Sequence, residues 1–179
     1  MKNSKFKIAL TTFDKWVEII SLLLIVVLWI ATAHIYTAFP GIIPIHFDED
    51  GNPDNYGSKA AIFLLPIIGT AVFILLTALN KYPLIFNYSV TITDENRKYQ
   101  YQNAIRMLRC LKLSIAIICT IITIEMYLSG SKKTYITGSW FLIMIFLVIN
   151  IPVAYFIMRM FMKPKAPTQN NAIDGPQKN

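Results

Sequence analysis

Four long apolar stretches constrain this chain more than any other feature, because each is about as long as a helix that crosses a bilayer. The hydrocarbon core of a membrane is about 30 Å thick, and a helix needs about 20 apolar residues to span it. The four stretches cover residues 17–38, 60–79, 111–128 and 140–161. A buried helix of a soluble domain is usually shorter and keeps a polar face. The sequence therefore predicts an all-α integral membrane protein with four transmembrane helices.

The positive charges lie mainly on one side of these spans. Of the 17 Lys and Arg residues, 14 lie on the side of the membrane that holds both termini. The other three are Lys59, Lys132 and Lys133. Positive charges near span ends resist translocation. We therefore expect both termini in the cytoplasm, residues 40–59 in an extracytoplasmic loop and residues 80–110 in a cytoplasmic loop. The first loop carries a contrasting group of acidic residues, Asp48, Glu49, Asp50 and Asp54.

The composition and the positions of the cysteines further limit the class of protein. Hydrophobic residues make up 55% of the chain, too many for a soluble domain of 179 residues. The net charge of +7 lies at span ends, so a nucleic-acid partner is not expected. Cys110 and Cys119 fall on roughly opposite faces of one predicted helix, which argues against a disulfide. Cleavage after the small residues Ala31-Thr32-Ala33 is the alternative for the first span, but the apolar run continues beyond them.

The segments between and after the spans have weaker signals. Residues 88–93 alternate like a short strand, and Thr93 is placed to cap a basic amphipathic helix that leads into the third span. We expect this juxtamembrane cytoplasmic helix to lie on the membrane surface, with a β-hairpin turning at residues 94–96 as the alternative. Residues 163–179 are polar and contain three prolines, so a disordered cytoplasmic tail should follow a membrane domain of residues 1–162.

The loop of residues 40–59 carries the densest pattern of turn-forming and polar residues. Asp50-Gly51-Asn52-Pro53 predicts a turn, and Ser58 is placed to cap the second span. The residues that we single out as a candidate ligand-binding motif are Pro44, His46, Phe47, Gly51, Pro53, Asp54, Gly57, Ser58 and Lys59.

This motif, read as P-x-H-F-x-x-x-G-x-P-D-x-x-G-S-K and followed by Leu64-Leu65-Pro66, resembles an uncharacterised membrane domain. That domain stands at the N-terminal end of immunity proteins against the sporulation-delaying toxin. The resemblance extends over about residues 40–112 and implies a multi-pass protein of the bacterial inner membrane, here as a stand-alone member. The immunity proteins are longer, with additional spans after this domain, so the resemblance does not by itself carry over toxin immunity or repressor capture.

Metal binding by the loop is not favoured. Asp48, Asp50, Asn52 and Asp54 alternate like calcium ligands, but Gly51 comes too early and Lys59 stands where a closing carboxylate is needed. A zinc site would need a second His or a Cys beside His46. We predict no metal and no cofactor.

Three polar residues fall inside the predicted spans. His34 and Glu125 should reach a similar depth near the outer surface, where a pair of them is a candidate proton or ligand site. A helix-packing hydrogen bond is the simpler role for each. Asn150 either joins them or bonds a neighbouring backbone group.

These observations predict a small, non-catalytic membrane protein that binds a peptide or protein partner, in a role related to toxin immunity or envelope-stress signalling. The lipid bilayer is its expected surroundings, and a homo-oligomer remains open. The alternatives are a membrane-embedded enzyme or a transporter subunit that uses His46 and Asp54, or His34 and Glu125. Against an enzyme, the sequence lacks a recognisable nucleophile constellation.

Overall fold

The computed structural model describes residues 10–39, 41–48, 50, 52–130 and 139–162. Its long helices are α1 (Thr12–Ala38), α2 (Leu64–Leu79), α3 (Arg97–Gly130) and α4 (Ser139–Met160). A two-stranded sheet, β1 (Ile42–Phe47) and β2 (Pro53–Ser58), lies between α1 and α2. Short 3-10 turns occupy Lys59–Phe63 and Pro83–Ile85. The fold is thus mostly helical rather than all-α.

The prediction of four spans is confirmed at the level of length and composition. Four helical segments are long and apolar enough to cross a membrane, namely Thr12–Ala38, Lys59–Leu79, Arg97–Ser129 and Trp140–Met160. The first begins five residues before its predicted start, because Thr11 caps it. The Thr11 hydroxyl accepts from the Asp14 amide at 3.3 Å, and the Asp14 carboxylate accepts from the Thr11 amide at 2.8 Å. This reciprocal capping box satisfies amide groups that the first turn would leave unpaired.

α1 and α3 share a closely packed seam. From Val17 onward the buried residues of α1 recur at intervals of three or four, namely Val17, Ser21, Ile25, Leu28, Thr32 and Ile35. Ile25 and Leu28 pack with Ala116 and Cys119. About two turns farther along both helices, Ile35 packs with Met126. This spacing keeps one stripe of each helix facing the other, as in a coiled coil. Gly69 of α2 lies beside the same seam, facing Leu28 and Cys119.

The prediction of a separate surface helix before the third span is wrong in its geometry. The basic segment forms the first turns of α3, a continuous helix of 34 residues. Its Tyr101, Ala104 and Ile105 are buried in the protein rather than laid on a membrane surface. The predicted strand at residues 88–93 and the alternative hairpin at residues 94–96 are also wrong, since both stretches are irregular or turn-forming.

Side chains on the first turns of α3 form hydrogen bonds with the end of α4, and these bonds hold the segment within the fold. Tyr99, Gln100 and Asn103 donate hydrogen bonds to the carbonyl oxygens of Arg159, Met160 and Phe156 at 2.9, 2.8 and 2.7 Å. The Arg159 and Met160 oxygens belong to the last turn of α4, where carbonyls lack the usual helical amide partners. The Arg159 oxygen also accepts from the Met162 amide at 3.2 Å. The Tyr88 ring lies near the ring of Tyr101 in α3, and the Tyr88 hydroxyl donates a hydrogen bond to the Pro83 carbonyl oxygen at 2.8 Å. Burial raises the pKa of Tyr88, so its hydroxyl keeps the proton that it donates.

The bundle has two ends that differ in chemistry. The charged end holds the start of α1, the end of α2, the start of α3 and the end of α4. The hairpin end holds β1, β2 and the opposite helix termini. The predicted tail, residues 163–179, lies outside the described residues.

Candidate ligand-binding hairpin

The motif of residues 40–59 folds as a β-hairpin, a feature that its turn residues alone did not predict. β1 and β2 pair antiparallel from Ile42 opposite Ser58 to Phe47 opposite Pro53, with register shifts on either side of His46. At the tip, Asp48 accepts from the amides of Asp50 and Asn52 at 3.0 and 2.7 Å. The chain thus reverses between Phe47 and Pro53, close to the predicted turn, although Pro53 already belongs to β2 and Gly51 lies outside the described residues.

One face of the hairpin is fastened to the helices. Ile43 and Pro44 are fully buried, and Ile43 joins an apolar cluster with Ile35, Ile62 and Met126. Phe47 packs at the margin of the same cluster. Burying these side chains removes apolar surface from water and gives the hairpin a fixed position on the bundle. Pro44 and Phe47 of the motif thus have a structural role.

The second strand is fastened at its end. The Ser58 hydroxyl accepts from the Ala60 amide at 3.3 Å, which confirms the predicted cap, although a 3-10 turn precedes α2. The Lys59 ammonium donates to the Phe39 carbonyl at 3.2 Å and lies 4.5 Å from the centre of the Tyr36 ring. A cation over an aromatic face is attracted by the ring quadrupole. Lys59 therefore ties β2 to the end of α1.

Gly57 leaves room for a neighbouring side chain. A Cβ atom at this position would lie 2.8 Å from Cδ1 of Ile45 on β1. Real Cβ atoms essentially never approach so closely, so any larger residue would displace Ile45. Glycine at this position fits the close approach of the two strands.

The exposed side chains of His46 and Asp54 contact each other, and neither is among the contacts that hold the hairpin on the helices. His46 Nδ1 and Asp54 Oδ1 are 2.6 Å apart across the hairpin, and their side chains are 67% and 45% exposed. An exposed ion pair contributes only about 0–1 kcal/mol to stability. These two groups are therefore available to a ligand and are not needed to hold the hairpin on the helices.

Two acidic residues of the loop that the structure describes, Asp48 and Asp54, have different partners. The Asp48 carboxylate accepts from backbone amides at the hairpin tip, whereas Asp54 is turned toward His46. Among the residues that the structure describes, three or more His, Cys, Asp or Glu side chains do not gather as metal ligands.

Each of the three polar residues predicted inside the spans has contacts of its own. The His34 ring is 6.2 Å from that of Tyr127, while Glu125 is buried and accepts a hydrogen bond from Ser129 at 3.4 Å. The salt bridges between described residues do not include a pair of His34 with Glu125. Asn150 is exposed and donates to the Phe146 carbonyl of its own helix at 2.8 Å.

A charged network at the opposite end was missed by sequence reasoning. The Asp14 carboxylate accepts from Arg106 Nε at 3.0 Å and lies 3.6 Å from Arg109. Arg109 Nε donates to Glu18 at 3.0 Å. The two carboxylates of α1 thus bind the two guanidinium groups of α3.

Lys112 extends this network to α2. Its side chain is only 1% exposed, and its ammonium bonds Glu18 and, at 3.0 Å, the Thr77 hydroxyl. The ammonium also lies 4.3 Å from the centre of the Phe73 ring. Buried charges are tolerated when they are paired and hydrogen-bonded. The sequence contains a signal for this network, because the two carboxylates of α1 are four residues apart and the three cations of α3 are three residues apart. They become partners only because α1 and α3 are adjacent.

Part of the chain is similar to known proteins. Residues 23–70 match a domain of unknown function, DUF1648. This region contains the second half of α1, the hairpin and the start of α2. An uncharacterised protein of Archaeoglobus fulgidus is 30% identical over 104 residues, which cover 50% of this chain. The chain spans 57% of the length of that relative. No solved structure matches.

The domain match overlaps the resemblance seen in the sequence between residues 40 and 70. It supports a multi-pass membrane protein of unknown function, since the matched region joins two of the four apolar helices.

Proposed function

We propose that this protein is a non-catalytic receptor of the bacterial cytoplasmic membrane that binds an extended, cationic peptide segment on its extracytoplasmic hairpin. The observation that carries the proposal is the exposed His46–Asp54 pair on a hairpin that is otherwise held by buried residues. Both groups stand clear of the contacts that fix the fold. Polar residues without a structural task, on a rigid support, are well placed for recognition.

The charge of the hairpin indicates the ligand class. Residues 40–59 contain Asp48, Glu49, Asp50 and Asp54 against a single cation, Lys59, and that cation bonds a carbonyl of the protein. Complementary charge directs encounter with a partner. A positively charged ligand would therefore be favoured.

The form of the hairpin indicates the shape of the ligand. A two-stranded sheet has an open edge on each strand, and an extended peptide can add to such an edge through main-chain hydrogen bonds. Exposed apolar side chains, Ile42, Ile45 and Tyr56, lie along these strands and offer contacts for alternate side chains of the ligand.

The asymmetric positive charge supports an orientation with both termini in the cytoplasm and the hairpin outside. The motif resembles the N-terminal domain of immunity proteins against the sporulation-delaying toxin, and a binding site on that side agrees with a role related to toxin immunity. Reporter fusions after residues 50 and 90 should give outside and inside signals respectively. The reverse pattern would exclude an external ligand.

A photo-crosslinking side chain in place of Tyr56, in intact cells, tests the binding role. A ligand on the hairpin should give a discrete adduct that weakens at high salt and disappears in the double variant His46→Ala, Asp54→Asn. The same probe in place of Tyr82, equally exposed but at the charged end, is the matched control. An adduct that persists in the double variant at unchanged protein abundance would refute the proposed site.

A further inference from the structure

The outward face of α4 has an unusual polar residue at its centre. Asn150 lies near the middle of the 22-residue α4, on a helix whose surroundings would be hydrocarbon. Val148 accepts a hydrogen bond from α3, and Asn150 stands two residues farther, or about 200° around the helix. Asn150 is accordingly exposed on the side away from α3.

The contacts within the described chain leave the Asn150 amide half satisfied. One N–H donates to the Phe146 carbonyl, but among described residues the Oδ1 atom accepts no hydrogen bond. An amide side chain offers two donors and an acceptor with two lone pairs. Leaving these groups in a lipid environment is costly, and such residues usually face protein or water.

We propose that α4 is a homodimer interface in which Asn150 of each copy donates to Oδ1 of the other. The amide is self-complementary, so a two-fold axis lets both side chains act as donor and acceptor at once. All copies insert with the same orientation, which makes two α4 helices parallel and brings Asn150 of each to the same depth. A second copy of this chain therefore presents the same Asn150 amide at the same depth in the membrane.

The surface around Asn150 fits this packing. Exposed residues recur at intervals of four and three on the same face, namely Ile143, Leu147, Asn150, Ala154 and Ile157. This is the spacing of a left-handed helix pair. Ala154, one turn from the amide, is small enough to let the two backbones approach and the amides meet. The proposal does not depend on the function of the hairpin.

Energy transfer between donor- and acceptor-labelled full-length chains in lipid vesicles, at increasing lipid dilution, tests the interface. Replacing Asn150 by Leu removes both reciprocal hydrogen bonds and should weaken association about 8- to 300-fold, the range expected for the loss of two interhelical hydrogen bonds in a membrane. Leucine suits a lipid-facing position, so the variant should remain folded. Ile151→Leu, exposed but about 100° away on the helix, is the control and should leave association unchanged.

Cysteine crosslinking locates the contact independently. With Cys110 and Cys119 replaced by Ala, Ala154→Cys should form a disulfide dimer under mild oxidation, whereas Ile151→Cys should not. Energy transfer in this background, compared with the unaltered chain, confirms that it still associates. Monomers at every lipid ratio, equal association of the Asn150→Leu variant, or crosslinking through position 151 instead of 154 would each overturn the proposal.

Discussion

The hydroxyl of Ser114 in α3 donates a hydrogen bond to the carbonyl oxygen of Val148 in α4, with 2.7 Å between the two oxygens. In an uninterrupted helix that carbonyl would accept from the amide of residue 152. Residue 152 is proline, which has no N–H. An unpaired carbonyl at membrane depth costs several kcal/mol. Ser114 therefore supplies the donor that Pro152 removes, and in doing so it joins the two helices.

This relationship predicts an interaction between substitutions. Ser114→Ala should lower the free energy of unfolding by about 1–2 kcal/mol, because the Val148 carbonyl loses its partner. In a Pro152→Ala background the cost should fall to less than half, since the new backbone amide can bond Val148. Denaturation by SDS in mixed micelles measures all four variants. Equal costs in both backgrounds would mean that Ser114 acts through packing alone.

The charged network predicts a large effect from a small chemical change. Glu18→Gln keeps the side-chain volume but leaves the buried Lys112 ammonium without a carboxylate. Breaking a buried pair costs about 3–5 kcal/mol, and the partial exposure of Glu18 reduces our expectation to about 2 kcal/mol. The thermal midpoint in detergent should fall accordingly.

Asp94→Asn is the matched control for that substitution. Asp94 pairs with Arg97 three residues later, but its side chain is 87% exposed. Removing this surface pair should change the free energy of unfolding very little. A loss as large as that of Glu18→Gln would show that burial does not decide the effect.

The four helices could be predicted from hydropathy and charge. A bilayer sets the length and the orientation of each span, and both depend on the local sequence. The sequence of a single segment does not show which helices are in contact. The sequence shows no partner for Asp14 and Glu18 near the start of the first span, and Arg106, Arg109 and Lys112 were counted there among the positive charges that set the orientation. They become a network only because α1 packs beside α3. The hairpin was missed for a similar reason, since its strands are stabilised by burial of Ile43 against the helices and not by a strong alternating pattern.

Two glycines should respond oppositely to alanine. At Gly69 an added Cβ would make ordinary contacts of 3.5 Å with Cys119 and Leu28. Gly69→Ala should therefore raise the free energy of unfolding by up to about 1 kcal/mol, through better helix propensity. At Gly57 the added atom would lie 2.8 Å from Ile45 Cδ1, so Gly57→Ala should lower it by about 1 kcal/mol as Ile45 leaves its preferred rotamer. Thermal unfolding of both variants checks the signs, and a stabilising Gly57→Ala would contradict the close strand approach.

The hairpin separates residues that hold the fold from residues that face outward, and stability measurements can test that separation without knowledge of the ligand. His46→Ala should lower the free energy of unfolding by less than about 1 kcal/mol, because its ion pair with Asp54 is exposed. Ile43→Ala, in the same strand, should cost about 2–5 kcal/mol, because Ile43 is fully buried against Ile35, Ile62 and Met126. A cost at His46 comparable with that at Ile43 would assign the histidine to folding, and the case for a binding role of the pair would fail with it.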